Sequence, residues 1–387
     1  MKRWPTKPLG ELCEFRHGNT PSKAEPNYWG GSFPWVSPKD MHVETIVDTE
    51  DHLTTEAIAD DRATIAKKHS LLVVVRSGIL AHTLPVAIAG RDVAFNQDLK
   101  ALRVISQSVT PRYLFRFLQA SSAQVLTRGT KRGATVHSLQ SGFLESLLTP
   151  VPPLAEQERI VKLLDEADEL RKLRAQADRR TGALLPALFH EMFGDSLTNL
   201  RGWPTKELRH LGRVVTGSTP PSAKEGMFGV GIPFITPGDL ESNTRETMRY
   251  VTEAGAAEVR TVRAGSTLVC CIGATIGKTD RAWKPSAFNQ QINAVEWSNE
   301  IDDDFGVVCL KRSSKAVIQQ GSQTALPILK KSLFEQIRIP VPPLPLQKEF
   351  AQRVAEIREV ESAQAASRQR LESLFQSLLH RAFNGEL

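Results

Sequence analysis

The longest regular pattern of apolar residues occurs twice, each time just after a Pro-Pro step. In the first copy the apolar residues recur at close to heptad spacing, and they are Ile160, Leu163, Ala167, Leu170, Ala177, Leu184, Leu188 and Met192. In the second copy the corresponding stripe consists of Phe350, Val354, Ile357, Val360, Leu371, Leu374, Leu378 and Ala382. Stripes this narrow are typical of helices that pack on another helix. Since a residue before proline disfavours helix, both helices should begin after the prolines.

A helix over residues 155–193 would be about 55–60 Å long. Gly182 and Pro186 predict a kink or break in the first helix. Two arrangements are open: each helix lies on its own globular part, or the two helices pair antiparallel as a spacer. The matched lengths of the two copies favour the spacer. The candidate coiled-coil residues are Ile160, Leu163, Leu170, Val354, Ile357, Leu371 and Leu378.

The remainder of the chain is also repeated. Three pairs of segments show the repeat, and the offset between the copies shrinks slightly from the first pair to the last: Trp4–Lys7 and Trp203–Lys206, Ala94–Gln97 and Ala287–Gln290, Pro150–Leu154 and Pro340–Leu344. Length changes fall only between these segments. Two copies of about 190 residues are too long for solenoid repeats, and they predict two related domains, each with an appended helix.

The repeat divides the chain into four segments. We assign 1–150 and 199–340 to two globular domains, and 151–198 and 341–387 to a central and a C-terminal helix. The predicted fold class is α+β: two globular α/β domains separated by two long antiparallel coiled-coil-like helices, with a pseudo-twofold internal repeat.

Composition narrows the class of protein. Of 387 residues, 41% are hydrophobic, which is ample for two or three cores. The longest apolar runs, such as Leu71–Val75 and Leu268–Ile272, are far shorter than the roughly 18 residues that span a bilayer. No apolar segment follows Lys2 and Arg3, so we expect no signal peptide. The 4 cysteines form no CxxC pair and indicate reduced thiols, so we expect a cytoplasmic protein without membrane contact.

The net charge of +6 is unevenly distributed. The two helical segments are close to neutral, so the excess of basic residues lies in the globular domains. There it falls in acid-free runs, between Asp98 and Glu145 and between Asp304 and Glu335, with further runs at 61–92 and 258–280. Either these runs are solvated faces, or they bind a polyanion. Matching runs in both halves favour the polyanion, because neutralising phosphates requires a one-sided field.

The candidate nucleic-acid-binding residues come from these runs. The basic residues of the longest runs are Lys100, Arg103, Arg112, Arg116, Arg128, Lys131 and Arg132 in the first half, and Lys311, Arg312, Lys315, Lys330 and Lys331 in the second. From all the runs we select Arg76, His82, Arg128, Lys131, Arg132, His137, Lys278, Lys311, Arg312, Lys330 and Lys331. The low aromatic content of 6% fits a duplex better than single strands, which stack on aromatic residues.

Two repeated amide pairs could also contact bases. Arg and Lys reach guanine edges, and Asn and Gln reach adenine edges. Asn96-Gln97 and Asn289-Gln290 therefore suit base recognition. However, they occupy the same place in both halves, and a shared position cannot by itself distinguish two different sequences, which favours a scaffold role.

Catalytic motifs are incomplete. The segment from Gly273 to Thr279 resembles a Walker A loop but is one residue short of GxxxxGK[ST], so we interpret it as a turn. There is no Asn-Pro-Pro-aromatic motif of an amino-methyltransferase, no convincing nuclease motif at Pro38 or Pro237, and no metal-ligand spacing among the 9 histidines. His190 and His380 recur on the helices and are interpreted as packing or surface residues.

The repeated motifs resemble those of the specificity subunits of type I restriction–modification enzymes. The segments that carry the resemblance are Gly18–Ser22, Tyr28–Gly31 and Pro34–Asp40, their copies at Gly217–Pro220 and Ile232–Asp239, the pairs Asn96-Gln97 and Asn289-Gln290, and Pro150–Gln157. The resemblance covers essentially the whole chain. It departs at the second helix opening, where Pro345 and Leu346 replace Ala155 and Glu156, although Gln347 still matches Gln157.

The resemblance implies a non-catalytic subunit that recognises double-stranded DNA. Each globular part would be a target-recognition domain for one half of a bipartite, asymmetric site. The helices would set the distance between the half-sites and, through the same seam residues, dock two modification subunits. Those subunits would bind S-adenosylmethionine and methylate a flipped adenine, and restriction subunits would use ATP and Mg²⁺, which leaves no cofactor in this chain.

Two other classes of function stay open. One is a stand-alone nuclease or NTPase with an unrecognised site, for which the short Walker-like loop is the only support. The other is a scaffold that pairs helices and binds no DNA. Nucleotide binding abolished by Lys278→Ala would favour the first, and salt-dependent binding of duplex DNA by the purified complex would exclude the second.

Overall fold

A computed structural model describes residues 4–133, 135–221, 224–241, 244–245, 247–313 and 327–387, and every statement about helices and sheets refers to these residues. Lys315 of the second acid-free run lies outside them. The chain packs into two compact units. The first consists of Met1–Ala175 with Ala366–Leu387, and the second of Gln176–Ala365.

The boundaries between the units fall inside the two long helices, at equivalent positions of the two copies. Each unit therefore contains one globular part, the beginning of the helix that follows it, and the end of the other helix. The four sequence segments remain a prediction about chain organisation, and the packing groups parts of them differently.

Short strands build the globular part of the first unit. They are Thr6–Pro8, Cys13–His17, Trp29–Val36, Thr45–Ile46, Asp51–Leu53, Ile65–Ala66, Leu71–Val74, Arg76–Ser77, Val86–Ala89, Val93–Phe95, Leu99–Val104, Thr130–Lys131, His137–Leu139 and Leu148–Pro150. Its shorter helical segments are Leu9–Leu12, Pro26–Tyr28, Pro38–Asp40, Thr55–Ala59, Gly78–Ala81, Pro111–Ala120 and Ser122–Arg128.

Two sheets form the body of this unit. The five-stranded sheet has the order Cys13–His17, Leu99–Val104, Leu71–Val74, Val86–Ala89, Thr45–Ile46. The four-stranded sheet has the order Asp51–Leu53, Trp29–Val36, Val93–Phe95, Ile65–Ala66. The strand Leu71–Val74 is completely buried, as expected for a continuous run of Leu and Val residues with both faces covered.

The second unit repeats this plan. Its strands are Thr205–Glu207, Gly212–Thr216, Phe228–Ile235, Tyr250–Val251, Thr261–Val262, Thr267–Cys270, Thr279–Arg281, Ser286–Phe288, Ile292–Trp297 and Arg338–Pro340. Its shorter helices are Leu208–Leu211, Glu253–Ala257, Asp303–Arg312 and Lys331–Phe334. One four-stranded sheet has the order Gly212–Thr216, Ile292–Trp297, Thr267–Cys270, Thr279–Arg281, and the other has the order Tyr250–Val251, Phe228–Ile235, Ser286–Phe288, Thr261–Val262.

The pairing register shows the repeat directly. In the first unit Trp35 pairs in parallel with Ala94, and in the second Phe234 pairs in parallel with Ala287. Each globular part also closes with a two-stranded ribbon that joins its first strand to its last, Thr6–Pro8 with Leu148–Pro150 and Thr205–Glu207 with Arg338–Pro340. The two copies of the sequence repeat therefore fold into the same structure, once in each unit.

Two equivalent glycines in the repeated motifs, Gly18 and Gly217, lie against the backbone of Asn96 and Asn289. A Cβ on Gly18 would lie 2.0 Å from the carbonyl oxygen of Asn96, and one on Gly217 would lie 2.1 Å from that of Asn289. A side chain at either position is therefore incompatible with the packing of the loop against the sheet.

The long helices begin where the sequence predicts. The central helix is Leu154–Gly182, followed after one residue by Leu184–Phe193, and the C-terminal helix is Leu344–Phe383. The predicted break at Gly182 is confirmed. Pro186 is the third residue of the new helix, where its missing N–H has no intrahelical partner to lose.

The candidate seam residues differ in burial. Ile160 and Val354 are fully buried, each in the core of its own unit. The half-buried candidates are Leu163, Ile357, Leu371 and Leu378. Leu170 is 52% exposed. The C-terminal helix contributes Phe375, Leu379 and Ala382 to the core of the first unit. Within the described part of the chain, we find no helix with the length and apolar composition required to span a lipid bilayer.

Candidate nucleic-acid interface

A small three-stranded sheet in the first unit brings several candidate residues together. Its strands are Thr130–Lys131, His137–Leu139 and Arg76–Ser77, in that order. Ser138 pairs with Lys131 on one side and with Arg76 on the other. Residues directly opposite each other on neighbouring strands point to the same face of a sheet. Arg76, Ser138 and Lys131 therefore form one row on one face.

This face is open and positively charged. Arg76 and Lys131 are exposed, as are Arg128 at the end of the preceding helix and Arg132 in the connecting loop. Among the described residues, none of these four side chains has a hydrogen-bond or ion-pair partner. A row of unpaired cations keeps its full attraction for an anionic ligand. We name the row Arg76, Ser138 and Lys131, with the neighbouring Arg128, the basic face; Arg132 follows Lys131 and lies at the edge of this face.

The opposite side of the sheet packs inward. Leu139 lies against the core of the unit. His137 is half-buried, and its Nδ1 atom is buried without a hydrogen-bond partner among the described residues. His137, His82 and Arg132 line a cleft of about 930 Å³ that also contains Arg171 and Phe375 from the helices. All six candidates of the first half thus lie on this sheet, beside it, or in the adjoining cleft.

Other basic residues of the same acid-free run are structural. Lys100 donates to the Glu145 carboxylate at 2.6 Å and is buried, while Arg103 pairs with Glu14. The acid-free run is therefore not uniformly available to a polyanion. Acidic residues distant in sequence pair with these cations, which a run of sequence does not reveal.

Arg112 and Arg116 also belong to the structure of the unit. Arg116 is 1% exposed and binds Glu44, Asp165 and Asp168. These contacts join the helix Pro111–Ala120 to the central helix. Desolvation would raise the pKa of the Asp168 carboxyl, but hydrogen bonding to Lys172 and Glu44 and the charges of Arg116 and Lys172 outweigh it and lower that pKa to about 2.

The second unit uses the opposite charge arrangement at this joint. Asp304, on the helix equivalent to Pro111–Ala120, accepts hydrogen bonds from Arg281 and from Arg358 of the C-terminal helix. Arg358 occupies the position in the second helix that Asp168 occupies in the first. In the first unit the cations Arg112 and Arg116 lie on the domain helix and pair with acids of the long helix. In the second unit the acid Asp304 lies on the domain helix and pairs with Arg358 of the long helix.

The Walker-like segment is a hairpin. It joins the antiparallel strands Thr267–Cys270 and Thr279–Arg281, and Gly277 N donates to Cys270 O at 2.9 Å. A phosphate-binding loop of this type leads from a strand into a helix. The interpretation as a turn is confirmed. Lys278 is half-buried within this hairpin.

The other candidates of the second unit fall into two groups. Lys311 lies 3.7 Å from Glu241, and Arg312 stacks on Phe189, with centroid distance 5.5 Å. Lys331 pairs with Glu335 along its own helix at 3.4 Å. Lys330 is exposed and without an ion pair among the described residues.

The repeated amides support the scaffold interpretation. Asn96 Oδ1 accepts from Asp98 N at 3.0 Å, and Asn289 Oδ1 accepts from Gln291 N at 3.0 Å. Thr219 donates to Gln290 at 2.7 Å. These equivalent bonds hold the turn after each parallel strand.

Sequence analysis missed Ser138 and Glu44. Ser138 lies in a short strand whose pattern carries too little signal to predict, and Glu44 acts through partners that are distant in the sequence. Among the described residues, no group of three or more His, Cys, Asp or Glu side chains is arranged to hold a metal ion.

Comparison with known proteins was made for sequence and for structure. The family model for the type I restriction modification DNA specificity domain matches residues 1–178 and 201–372. The EcoR124I/EcoR124II specificity subunit of Escherichia coli is 36% identical over 42% of this chain and 41% of its own length. The MjaIX specificity subunit of Methanocaldococcus jannaschii is 24% identical over 90% of this chain and 85% of its own. The chain thus spans less than half of the first relative and most of the second.

Solved structures share the fold. The S subunit of a type I restriction–modification system from M. genitalium has a TM-score of 0.59 at 16% identity, over 98% of this chain and 96% of that one. A chain from a study of complex assembly and conformational transition in the type I system has a TM-score of 0.65 at 20% identity, over 100% and 99%. With two regions matching one family model across most of its length, the chain belongs to the family of type I restriction modification DNA specificity domains.

Proposed function

We propose that this chain is a non-catalytic DNA specificity subunit, in which each globular domain recognises one half of a bipartite, asymmetric site. The observation that carries the proposal is the basic face of the first unit, whose cations are exposed and unpaired among the described residues. The family match in both halves supports one recognition domain in each.

The proposal extends to partners of the chain. The relatives are named as specificity subunits of type I restriction enzymes. By this similarity, two modification subunits would bind the chain, carry S-adenosylmethionine and methylate the DNA, and restriction subunits would supply ATP-dependent cleavage. This division of labour fits the hairpin geometry of the Walker-like segment.

We further propose that the two long helices pair antiparallel and set the spacing of the half-sites. Arg171 pairs with Glu372 at 2.6 Å in the first unit, and Gln364 donates to Thr181 at 2.8 Å in the second. The residue number rises along one helix as it falls along the other, which supports an antiparallel register.

Exposed leucines offer a docking surface on these helices. Leu170 and Leu374 are about half exposed in the first unit, and Val360 and Leu184 in the second. Val360 is the counterpart of Leu170 in the sequence repeat, and Leu374 is the counterpart of Leu184. Each unit thus presents an equivalent apolar pair, to which two identical modification subunits would bind. Of the docking residues predicted from the sequence, only Leu170 belongs to these pairs.

The decisive experiment is methylome sequencing of a host that expresses the chain with its modification subunit. We expect methylated adenines in one bipartite motif, and replacing residues 1–150 with those of a relative should change one half-site only. Duplex binding by the complex should weaken steeply with salt. Absence of a bipartite motif, or binding without a salt slope, would contradict the proposal. ATP binding abolished by Lys278→Ala would favour the NTPase instead.

A further inference from the structure

We propose that the row Arg76–Ser138–Lys131 enters the major groove of the first half-site and recognises guanine through Arg76 and Lys131. This inference rests on the proposed function and specifies which residues distinguish bases. The row consists of backbone-paired residues on three adjacent strands.

The dimensions of the row fit the groove. Neighbouring strands lie about 4.8 Å apart, so the backbones at Arg76 and Lys131 are about 10 Å apart with Ser138 between them. The major groove is about 12 Å wide, so the exposed row, about 10 Å from end to end, is short enough to face into it. Base pairs rise about 3.4 Å, so the row spans about three base pairs.

The chemistry of the row fits base edges. Arg and Lys donate to the O6 and N7 atoms of guanine, and a Ser hydroxyl can donate or accept. Arg76 and Lys131 are held by strand pairing, which orients them better than a loop would. Arg128 and Arg132 stand outside the row, at the helix end and in the loop, where they suit phosphate contacts.

The two sides of the sheet differ in exposure. Leu139 packs on the core and His137 faces the cleft, whereas Arg76 and Lys131 on the outward side are exposed. The outward face is therefore the more accessible side for a duplex.

The second unit differs at the equivalent place. Leu329 N donates to Cys271 O at 2.8 Å, as Leu139 N donates to Val75 O at 2.8 Å in the first. One residue along, Ile272 pairs with Ile328 where Arg76 pairs with Ser138. The side chains of this pair cannot donate to guanine, so the described residues of the second unit do not repeat the Arg76–Ser138 contact.

The test uses the full chain in complex with its modification subunits and the duplex defined by the methylome. Each guanine of the half-sites is replaced in turn by 7-deazaguanine, which lacks the N7 acceptor. The variants are Arg76→Ala, Arg76→Lys and Lys131→Ala. Arg103→Ala is the control, because Arg103 is also exposed but is paired with Glu14.

We expect 7-deazaguanine at either of two positions in one half-site to weaken binding by the unchanged complex about 5- to 150-fold, the cost of one bidentate base contact. Arg76→Ala should bind the duplex modified at one of these positions as well as it binds the unmodified duplex. Lys131→Ala should show the same indifference at the other position, two or three base pairs away. Arg76→Lys should retain salt-dependent binding and lose part of the discrimination. Arg103→Ala should respond like the unchanged chain.

Three results would overturn the inference. One is unchanged binding by Arg76→Ala and Lys131→Ala. Another is that Arg76→Ala or Lys131→Ala weakens binding to every duplex equally and reduces the slope of affinity against salt concentration by about 1, as expected for a phosphate contact. The third is the absence of guanine from the affected half-site. If the unchanged complex binds no duplex in a salt-dependent manner, the proposed function itself fails, which separates that case from the others.

Discussion

Gln157 and Gln347 make the same three hydrogen bonds in the two halves of the chain. Gln157 Nε2 donates to Pro152 O at 2.9 Å and Ser108 O at 2.6 Å, and its Oε1 accepts from Thr110 N at 3.1 Å. Gln347 bonds Pro342 O, Glu300 O and Asp302 N in the same way. Both side chains are fully buried. Each glutamine ties the start of a long helix to the cap of the domain helix before it.

Removing either amide should destabilise its unit. Gln157→Ala or Gln347→Ala leaves buried backbone groups unpaired, and we expect each to lower the free energy of unfolding by about 2–4 kcal/mol. Urea titration monitored by circular dichroism measures this loss. Gln376→Ala is the control, since Gln376 is exposed and its side chain donates to the exposed Glu372 on the same helix. An equal effect at Gln376 would show that the buried amides do not act as joints.

The buried Arg116 should contribute more than the exposed arginines. Arg116→Met leaves Glu44, Asp165 and Asp168 without their shared buried cation, and we expect a loss of about 3–5 kcal/mol. Arg103→Met removes an exposed pair and should cost less than about 1 kcal/mol. Thermal and urea unfolding of the two variants distinguish these values. Similar losses would contradict the joint role of Arg116.

Sequence analysis predicted the long helices, the repeat and the break at Gly182, because these depend on local periodicity and on glycine and proline. It did not predict the three-stranded sheet, since strands of two or three residues carry too little pattern. Among the basic runs, it selected Arg76 and left out Arg116, but it gave no physical reason for the difference. One is exposed and the other buried, and the difference lies in acids such as Glu44 that are far away in sequence.

The seam was predicted less accurately. Leu163 and Leu378 fit the heptad, yet Leu164 and Leu379 are the residues in the core. At these two places the helix packs on a globular part, so the buried position moves by one residue, while Ile160 and Val354 of the predicted stripes stay in the cores. Heptad spacing alone assumes a single helical partner.

Asp168 makes the stability of the first unit depend on pH. Its folded pKa of about 2 is below the ordinary value of 3.8, so its contribution is complete above pH 4 and is lost as the pH falls toward 2. We expect Asp168→Asn to lower the free energy of unfolding by about 2 kcal/mol at pH 7 and by clearly less at pH 3. Urea titrations at both pH values measure the difference. Asp48→Asn, at an exposed carboxylate, should show a much weaker dependence, and a constant penalty at Asp168 would contradict the assignment.

Lengthening both helices should lengthen the DNA spacer. Duplicating residues 169–175 and 359–365 inserts one heptad in each helix at the boundaries between the units. Seven residues add about 10 Å of helix, and about three base pairs of duplex span the same distance. We expect methylome sequencing to show unchanged half-sites separated by a spacer about three base pairs longer. Duplication in one helix alone should break the register and abolish methylation. Altered half-sites with an unchanged spacer would contradict the proposal. The inserted residues would then affect base recognition by the globular domains and not the distance between the half-sites.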